Sequence, residues 1–289
     1  MTSAIFRNAA SRGAVLEAYE RLLQDTPQAE PRRVSTRFGE THLLVAGREQ
    51  APPLVVLHGA MANSALAIRE AHALMGDFRL YVLDVIGQSV KSADVRLGLD
   101  GGDYAHWLCD VLAALALPRA HIYGASFGAF VARKLAELEP ALVDRLLLLV
   151  PAGIVSTPLL SAAVQTGVPL LLYRTIGNQA ALKRLLGALL TTPDAALSAY
   201  LTQALRHYRL DLAVPPLATP EPLQSFRRPT LIIGASDDIT CPAAELMRRA
   251  PQVFPHATVE LLPNSNHIPA TDDASRSRLC ARVARFLLE

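Results

Sequence analysis

The chain has 289 residues, 51% hydrophobic and 19% charged, with a formal net charge of +2. The length allows one or two domains, and the apolar content is enough to bury a large core. The near-neutral balance, without basic runs or a one-sided charge block, excludes a protein built to grip nucleic acid or an anionic membrane. Cys109, Cys241 and Cys280 are far apart and form neither a CxxC pair nor a metal-type set with histidine, which suits a reducing compartment. Met1 to Ala10 holds no apolar run of signal-peptide length. The densest apolar run, Leu142 to Val150, is broken by Asp144 and Arg145 and is too short for a membrane span. The expected location is cytoplasmic.

In chain order, Ser11 to Gln24 predicts a helix: Val15, Leu16, Tyr19, Leu22 and Leu23 recur at helical spacing, and Pro27 and Pro31 end it. Val34 to Phe38 and His42 to Ala46 predict a hairpin turning at Gly39-Glu40. Leu54 to Leu57, Arg79 to Leu83, Ala120 to Tyr123, Leu146 to Val150, Thr230 to Ile233 and Val259 to Leu262 are short apolar runs of the kind that form strands buried on both faces. Between them, Ala65 to Met75, Tyr104 to Ala116, Phe127 to Leu138, Ala243 to Ala250 and Ser275 to Leu288 have helical periods. Such alternation predicts a mostly parallel sheet flanked by helices. Between Gly153 and Pro229 it stops. Helical runs at Pro158 to Val164, Val168 to Tyr173, Gln179 to Leu190 and Pro193 to Leu205 suggest an insertion, followed by a Pro-rich connector from Pro215 to Pro222.

The strongest chemical signal is Gly124-Ala125-Ser126-Phe127-Gly128, which follows an apolar strand and opens a helix. A strand-to-helix turn this tight brings backbones together and needs flanking residues without a Cβ. It also holds the serine strained, with its oxygen projecting above the sheet. A serine hydroxyl needs a base. Among eight histidines, His72, His106 and His207 lie in helical patterns and His42 and His121 in strands. His267 lies in a loop beyond the carboxyl end of the last strand, the sheet edge where open α/β sheets hold their sites. The base needs an acid. Asp237 and Asp238 follow the Thr230 to Ile233 strand at that same edge. Spacing from Gly234 favours Asp237 as the acid, spacing from Pro242 leaves Asp238 as the alternative, and the other aspartate would cap the turn. An oxyanion needs two donors. The backbone amide of Phe127 is one, and the turn His58-Gly59-Ala60-Met61 offers Ala60, with Met61 as the alternative. The His58 side chain is expected only to hold that loop.

Together His58-Gly59, the elbow at Ser126, the Asp237-Asp238 loop and Asn266-His267 resemble the α/β-hydrolase superfamily over nearly the whole chain, in family order. The chain resembles a subgroup of bacterial carboxylesterase-like serine hydrolases that has a similar turn after the Arg79 to Leu83 strand and a similar N-terminal helix. Asp84-Val85-Ile86-Gly87 resembles the family's Asp-x-x-Gly turn but continues Gln88-Ser89-Val90-Lys91-Ser92, without the usual second glycine, and Asn266 stands where glycine is common. The resemblance implies an α/β-hydrolase fold, with a mostly parallel eight-stranded sheet. Residues 1–153 and 229–289 would form the core, and 154–228 a helical cap. It implies a carboxylic ester, thioester or lactone of a hydrophobic small molecule, cleaved through an acyl-enzyme on Ser126, without metal or organic cofactor. The same residues also suit cofactor-free perhydrolase or haloperoxidase chemistry, carbon–carbon bond hydrolysis or a biosynthetic cyclase or lyase. A ligand-binding receptor or an inactive scaffold that retains the pocket is a further reading.

Overall fold

The computed structural model describes residues 4–289 except Pro27, Pro158, Leu210 and Leu212. Eight strands form one sheet: β1 (Glu30–Thr36), β2 (Gly39–Ala46), β3 (Pro53–Leu57), β4 (Arg79–Leu83), β5 (Ala120–Ala125), β6 (Val143–Leu149), β7 (Thr230–Ala235) and β8 (Thr258–Leu262). Their order is β1-β2-β4-β3-β5-β6-β7-β8. β1 and β2 pair antiparallel, as do β2 and β4, and all other pairs are parallel. This is the α/β-hydrolase fold. β3 and β5 lie side by side at the centre, so the turns after them, carrying His58-Gly59 and Ser126, leave the sheet together.

Ten α-helices complete the described chain: α1 (Ala9–Gln24), α2 (Ser64–Ala71), α3 (Asp103–Ala114), α4 (Phe127–Leu138), α5 (Leu159–Ala162), α6 (Val168–Ile176), α7 (Gln179–Leu189), α8 (Ala195–His207), α9 (Ala243–Val253) and α10 (Asp273–Leu288). Alternating residues of the central strands serve opposite faces. Leu43, Val55, Leu57, Ile122, Leu146 and Ile232 pack toward α3, α4 and α9, with Trp107, Val131, Leu135 and Leu246. Leu44, Leu54, Val56, Tyr123, Leu147 and Ile233 pack toward α2 and α10, with Ile68, Val283 and Phe286. Burial on both sides is why these strands are apolar throughout.

β1 is different. It is an edge strand, exposed at most positions, and it extends back through Pro31 and Glu30. Proline is tolerated at a sheet edge, and without a buried face the strand has no alternating pattern to show. The hairpin also turns two residues earlier than its glycine suggests. Thr36 pairs with Gly39, so Arg37-Phe38 form the loop and Gly39 opens β2 at φ 114°.

Between β6 and β7 the described residues contain no sheet strand. α5 continues through a π-helical turn (Ala163–Gly167) into α6, then α7 and α8. The first helical run of this segment begins by pattern at Pro158, which lies outside the described residues. α8 does not stand apart from the rest: its Leu197, Tyr200, Leu201 and Ala204 share one cluster with Ile5, Phe6, Val15, Tyr19 and Leu22 of the N-terminal region. No described helix is long and apolar enough to cross a membrane.

Candidate active site

Ser126 takes φ 52°, ψ −112° at the head of α4, a left-handed conformation that costs a residue with a side chain on the order of 1–3 kcal/mol. Its neighbours enforce the turn. A Cβ on Gly124 would lie 2.4 Å from the Gly128 carbonyl oxygen, and one on Gly128 would lie 2.1 Å from that of Leu57. Three adjacent strands anchor the elbow, with the Ser126 N–H donating to the Leu149 carbonyl at 2.9 Å and the Val150 N–H to Ile233 at 2.7 Å.

His267 Nε2 lies 2.9 Å from Ser126 Oγ, and its Nδ1 lies 2.7 Å from Asp238 Oδ2. An ionised carboxylate only accepts, so Nδ1 carries the proton and Nε2 faces the serine hydroxyl as an acceptor. The preference for Asp237 from spacing is corrected here. The β-turn after β7 closes with the Asp238 N–H on the Ala235 carbonyl, leaving Ser236 and Asp237 as its outward central pair. The Asp237 side chain is exposed, while Asp238 is buried and points inward. Capping and histidine binding also fall on one residue rather than two. Asp238 Oδ1 accepts from the Thr240 N–H (2.7 Å), the Thr240 hydroxyl (2.8 Å) and the Cys241 N–H (2.9 Å). Burial pushes the Asp238 carboxyl up, but the bonds to His267, Cys241 and Thr240 outweigh it and hold the group below the usual carboxylate range. Thr240, whose Oγ1 also lies 2.7 Å from His267 Nδ1, went unrecognised in the sequence. The hint available was its place two residues after an aspartate, where hydroxyls commonly fold back.

The His58 turn lies over the elbow, with a Cβ on Gly59 placed 3.2 Å from that of Ser126. The His58 imidazole is a brace: Nε2 accepts from the Val85 N–H at 3.0 Å and Nδ1 donates to the Gly59 carbonyl at 2.7 Å. Burial holds its pKa down, which keeps it neutral in this role. Met61 takes φ 55° and spends its N–H on Gln88 Oε1 at 3.3 Å. Among the described residues no acceptor takes the N–H of Ala60 or of Phe127.

Both departures from the family pattern acquire a structural role. Gln88 reaches the His58 turn from the β4 loop, and the hydroxyl of Tyr208 in turn donates to its carbonyl at 3.1 Å. The Asn266 side-chain amide donates to the Leu190 carbonyl (3.0 Å) and the Gly187 carbonyl (3.3 Å) at the end of α7, tying the histidine loop to the insertion.

Above Ser126 opens a cavity of about 920 Å³ lined mainly by aliphatic side chains, among them Leu149, Leu170, Leu186, Leu201 and Ile268. The 154–228 segment contributes much of this wall.

An α/β sheet with a strained serine elbow and an apposed histidine defines a hydrolase-type scaffold, and the comparisons agree. A family model described as the alpha/beta hydrolase family matches residues 54–278, and the chain belongs to that family. Among curated proteins it is 35% identical over 137 residues to carboxylesterase YbfK of Bacillus subtilis, covering 47% of this chain and 46% of that one. It is 26% identical over 247 residues to the putative carbamate hydrolase RutD of Stutzerimonas stutzeri, covering 81% of this chain and 92% of that one. The match thus spans less than half the length of the carboxylesterase. Among solved structures, naproxen esterase from Bacillus subtilis superposes with a TM-score of 0.84 at 23% identity, over 97% of this chain and 99% of that one.

Proposed function

We propose that the protein is a serine hydrolase that cleaves carboxylic esters of hydrophobic small molecules. One observation carries the reading: the unbroken chain from Ser126 Oγ through His267 to Asp238, at 2.9 and 2.7 Å. Ser126 attacks the carbonyl carbon while His267 Nε2 takes its proton, and Asp238 stabilises the imidazolium. The amides of Phe127 and Ala60 receive the tetrahedral oxyanion, Met61 being committed to Gln88. The proton passes from His267 to the leaving alcohol. A water activated by the same imidazole then releases the acid and restores Ser126. The aliphatic cavity supports an apolar substrate, residues 154–228 act as its cap, and the carboxylesterase named above supports the ester class.

The test is Ser126→Ala assayed on short and medium nitrophenyl esters, beside labelling with a fluorophosphonate probe. Turnover is expected to fall at least about 10⁴-fold, with labelling abolished. Undiminished turnover, or no labelling of the wild-type protein at Ser126, would overturn the assignment.

A further inference from the structure

The cavity is not uniformly apolar. Part of its lining comes from α2, α10 and the sheet beneath them: Val56, Ala67, Glu70, Tyr123, Arg276 and Leu279. Tyr123 is only 7% exposed, yet among the described residues its hydroxyl has no hydrogen-bond partner. The residue is buried but lines the cavity, so its hydroxyl is a donor and acceptor open to a guest there. Burial pushes this phenol's pKa up, so it stays neutral, able to donate and accept.

Beside it, Arg276 grips the Glu70 carboxylate with two bonds, Nε to Oε2 at 3.0 Å and Nη2 to Oε1 at 2.9 Å. The Glu70 side chain nonetheless keeps 40% of its surface accessible while lining the cavity. Each of its oxygens has a lone pair beyond the one Arg276 uses. Arg276 and Arg69 both also donate to Asp194 at 3.4 Å. A third carboxylate, the solvent-exposed Asp273, lies 3.7 Å from Arg276 and is screened by water, so Glu70 and Asp194 are the partly buried carboxylates that face the two guanidiniums. A carboxylate guest would meet Glu70, and an ammonium guest would meet Arg276. A neutral group that both donates and accepts meets neither repulsion and completes both open positions.

Resting on the hydrolase reading above, we propose that Glu70 and Tyr123, with Arg276 holding Glu70, form a polar subsite for a hydroxyl carried by the substrate at the end of an apolar chain. Tyr123 precedes Ser126 by three residues of strand, which sets the hydroxyl on the order of 10 Å from the reacting carbonyl. The substrate is then a long-chain hydroxylated ester, apolar along its middle and polar at its tip.

The experiment compares kcat/KM within each protein, so that a general loss of activity cancels. One pair, the nitrophenyl esters of octanoate and ω-hydroxyoctanoate, probes the acyl side. The other, octyl acetate and octanediol monoacetate, probes the alcohol side. A purely aliphatic wall would favour the plain chain. The wild-type protein is expected to favour the hydroxylated partner about tenfold on one of the two sides, with the ratio falling to near one or below in Tyr123→Phe. A wild-type ratio at or below one on both sides, or an unchanged ratio in Tyr123→Phe, overturns the subsite. If none of the four esters turns over, the hydrolase reading has failed, and calorimetric binding of octanediol against octanol to Ser126→Ala decides the subsite alone. Tenfold tighter diol binding that is lost on adding Tyr123→Phe supports it, and equal binding overturns it.

Discussion

Residue 238 shows how two adjacent, chemically identical side chains are separated by a single turn. Ser236 and Asp237 are the outward residues of that turn, so position 237 is solvated, and the next residue swings inward to serve both Thr240 and His267. Asp238→Asn keeps the shape but presents an amide that no longer stabilises a protonated imidazole. On the proposed mechanism kcat is expected to fall about 10⁴-fold on nitrophenyl esters, while Asp237→Asn stays within a few-fold of wild type. Equal effects of the two would contradict the arrangement. The sequence narrowed the acid to two neighbours, and chain spacing could go no further, since a turn closing at 238 rather than 237 is set by the bond from its N–H to Ala235. Ser126 and His267 were legible individually, each being marked by its place after a strand.

Among the elements, the turn from β5 to α4 was the most legible, because its glycines answer to backbone contacts rather than to distant packing. Gly128 sits against the carbonyls of Leu57 and His58, at 2.1 and 2.8 Å from where a Cβ would be. Backbone at the end of a central strand has little room to retreat. Gly128→Ala is expected to destabilise the protein by about 3 kcal/mol, measured by urea denaturation. It should also depress ester turnover in the protein that remains folded, because the displaced carbonyls belong to the His58 turn. A substitution tolerated on both counts would mean that the turn is looser than its geometry. At the other extreme, β1 was legible only at its end, as Val34 to Phe38, and its hairpin turns at Arg37-Phe38 rather than at the glycine. An exposed edge strand is held by backbone pairing to β2, which leaves no periodic trace in side chains. Asn266, a departure in sequence, is explained only by its bonds to the end of α7.

For the molecule as a whole, Asp84 ties several elements together. It is fully buried and accepts from His42 Nδ1 (2.6 Å), the Tyr19 hydroxyl (2.8 Å), the Ser64 N–H (2.8 Å) and the Ser89 hydroxyl (2.7 Å). These partners come from β2, α1, α2 and the loop after β4. Burial pushes its carboxyl up, but the imidazole of His42 and the other donors more than offset this and hold it below the usual range. Stability from such a group is fully present above the unfolded carboxyl value of about 4 and is lost as pH falls through the lower native one. Asp84→Asn is therefore expected to cost about 3–5 kcal/mol at neutral pH and to flatten the acid side of the stability curve. Urea midpoints across acidic pH measure both effects, and a variant with the wild-type slope would remove Asp84 from the account. The Asp-x-x-Gly pattern marked this aspartate as part of a turn, but nothing local announced that helix, strand and loop would converge on it. By itself the sequence determined the alternation of buried strands and helices, the serine elbow and the histidine after the last strand, because each depends on neighbours within a few residues. Only the tertiary structure decided which aspartate meets the imidazole, that α8 packs on the N-terminal helix, and that Glu70, Tyr123 and Arg276 face one cavity. Those outcomes depend on contacts between segments far apart in the chain, and no local periodicity records them.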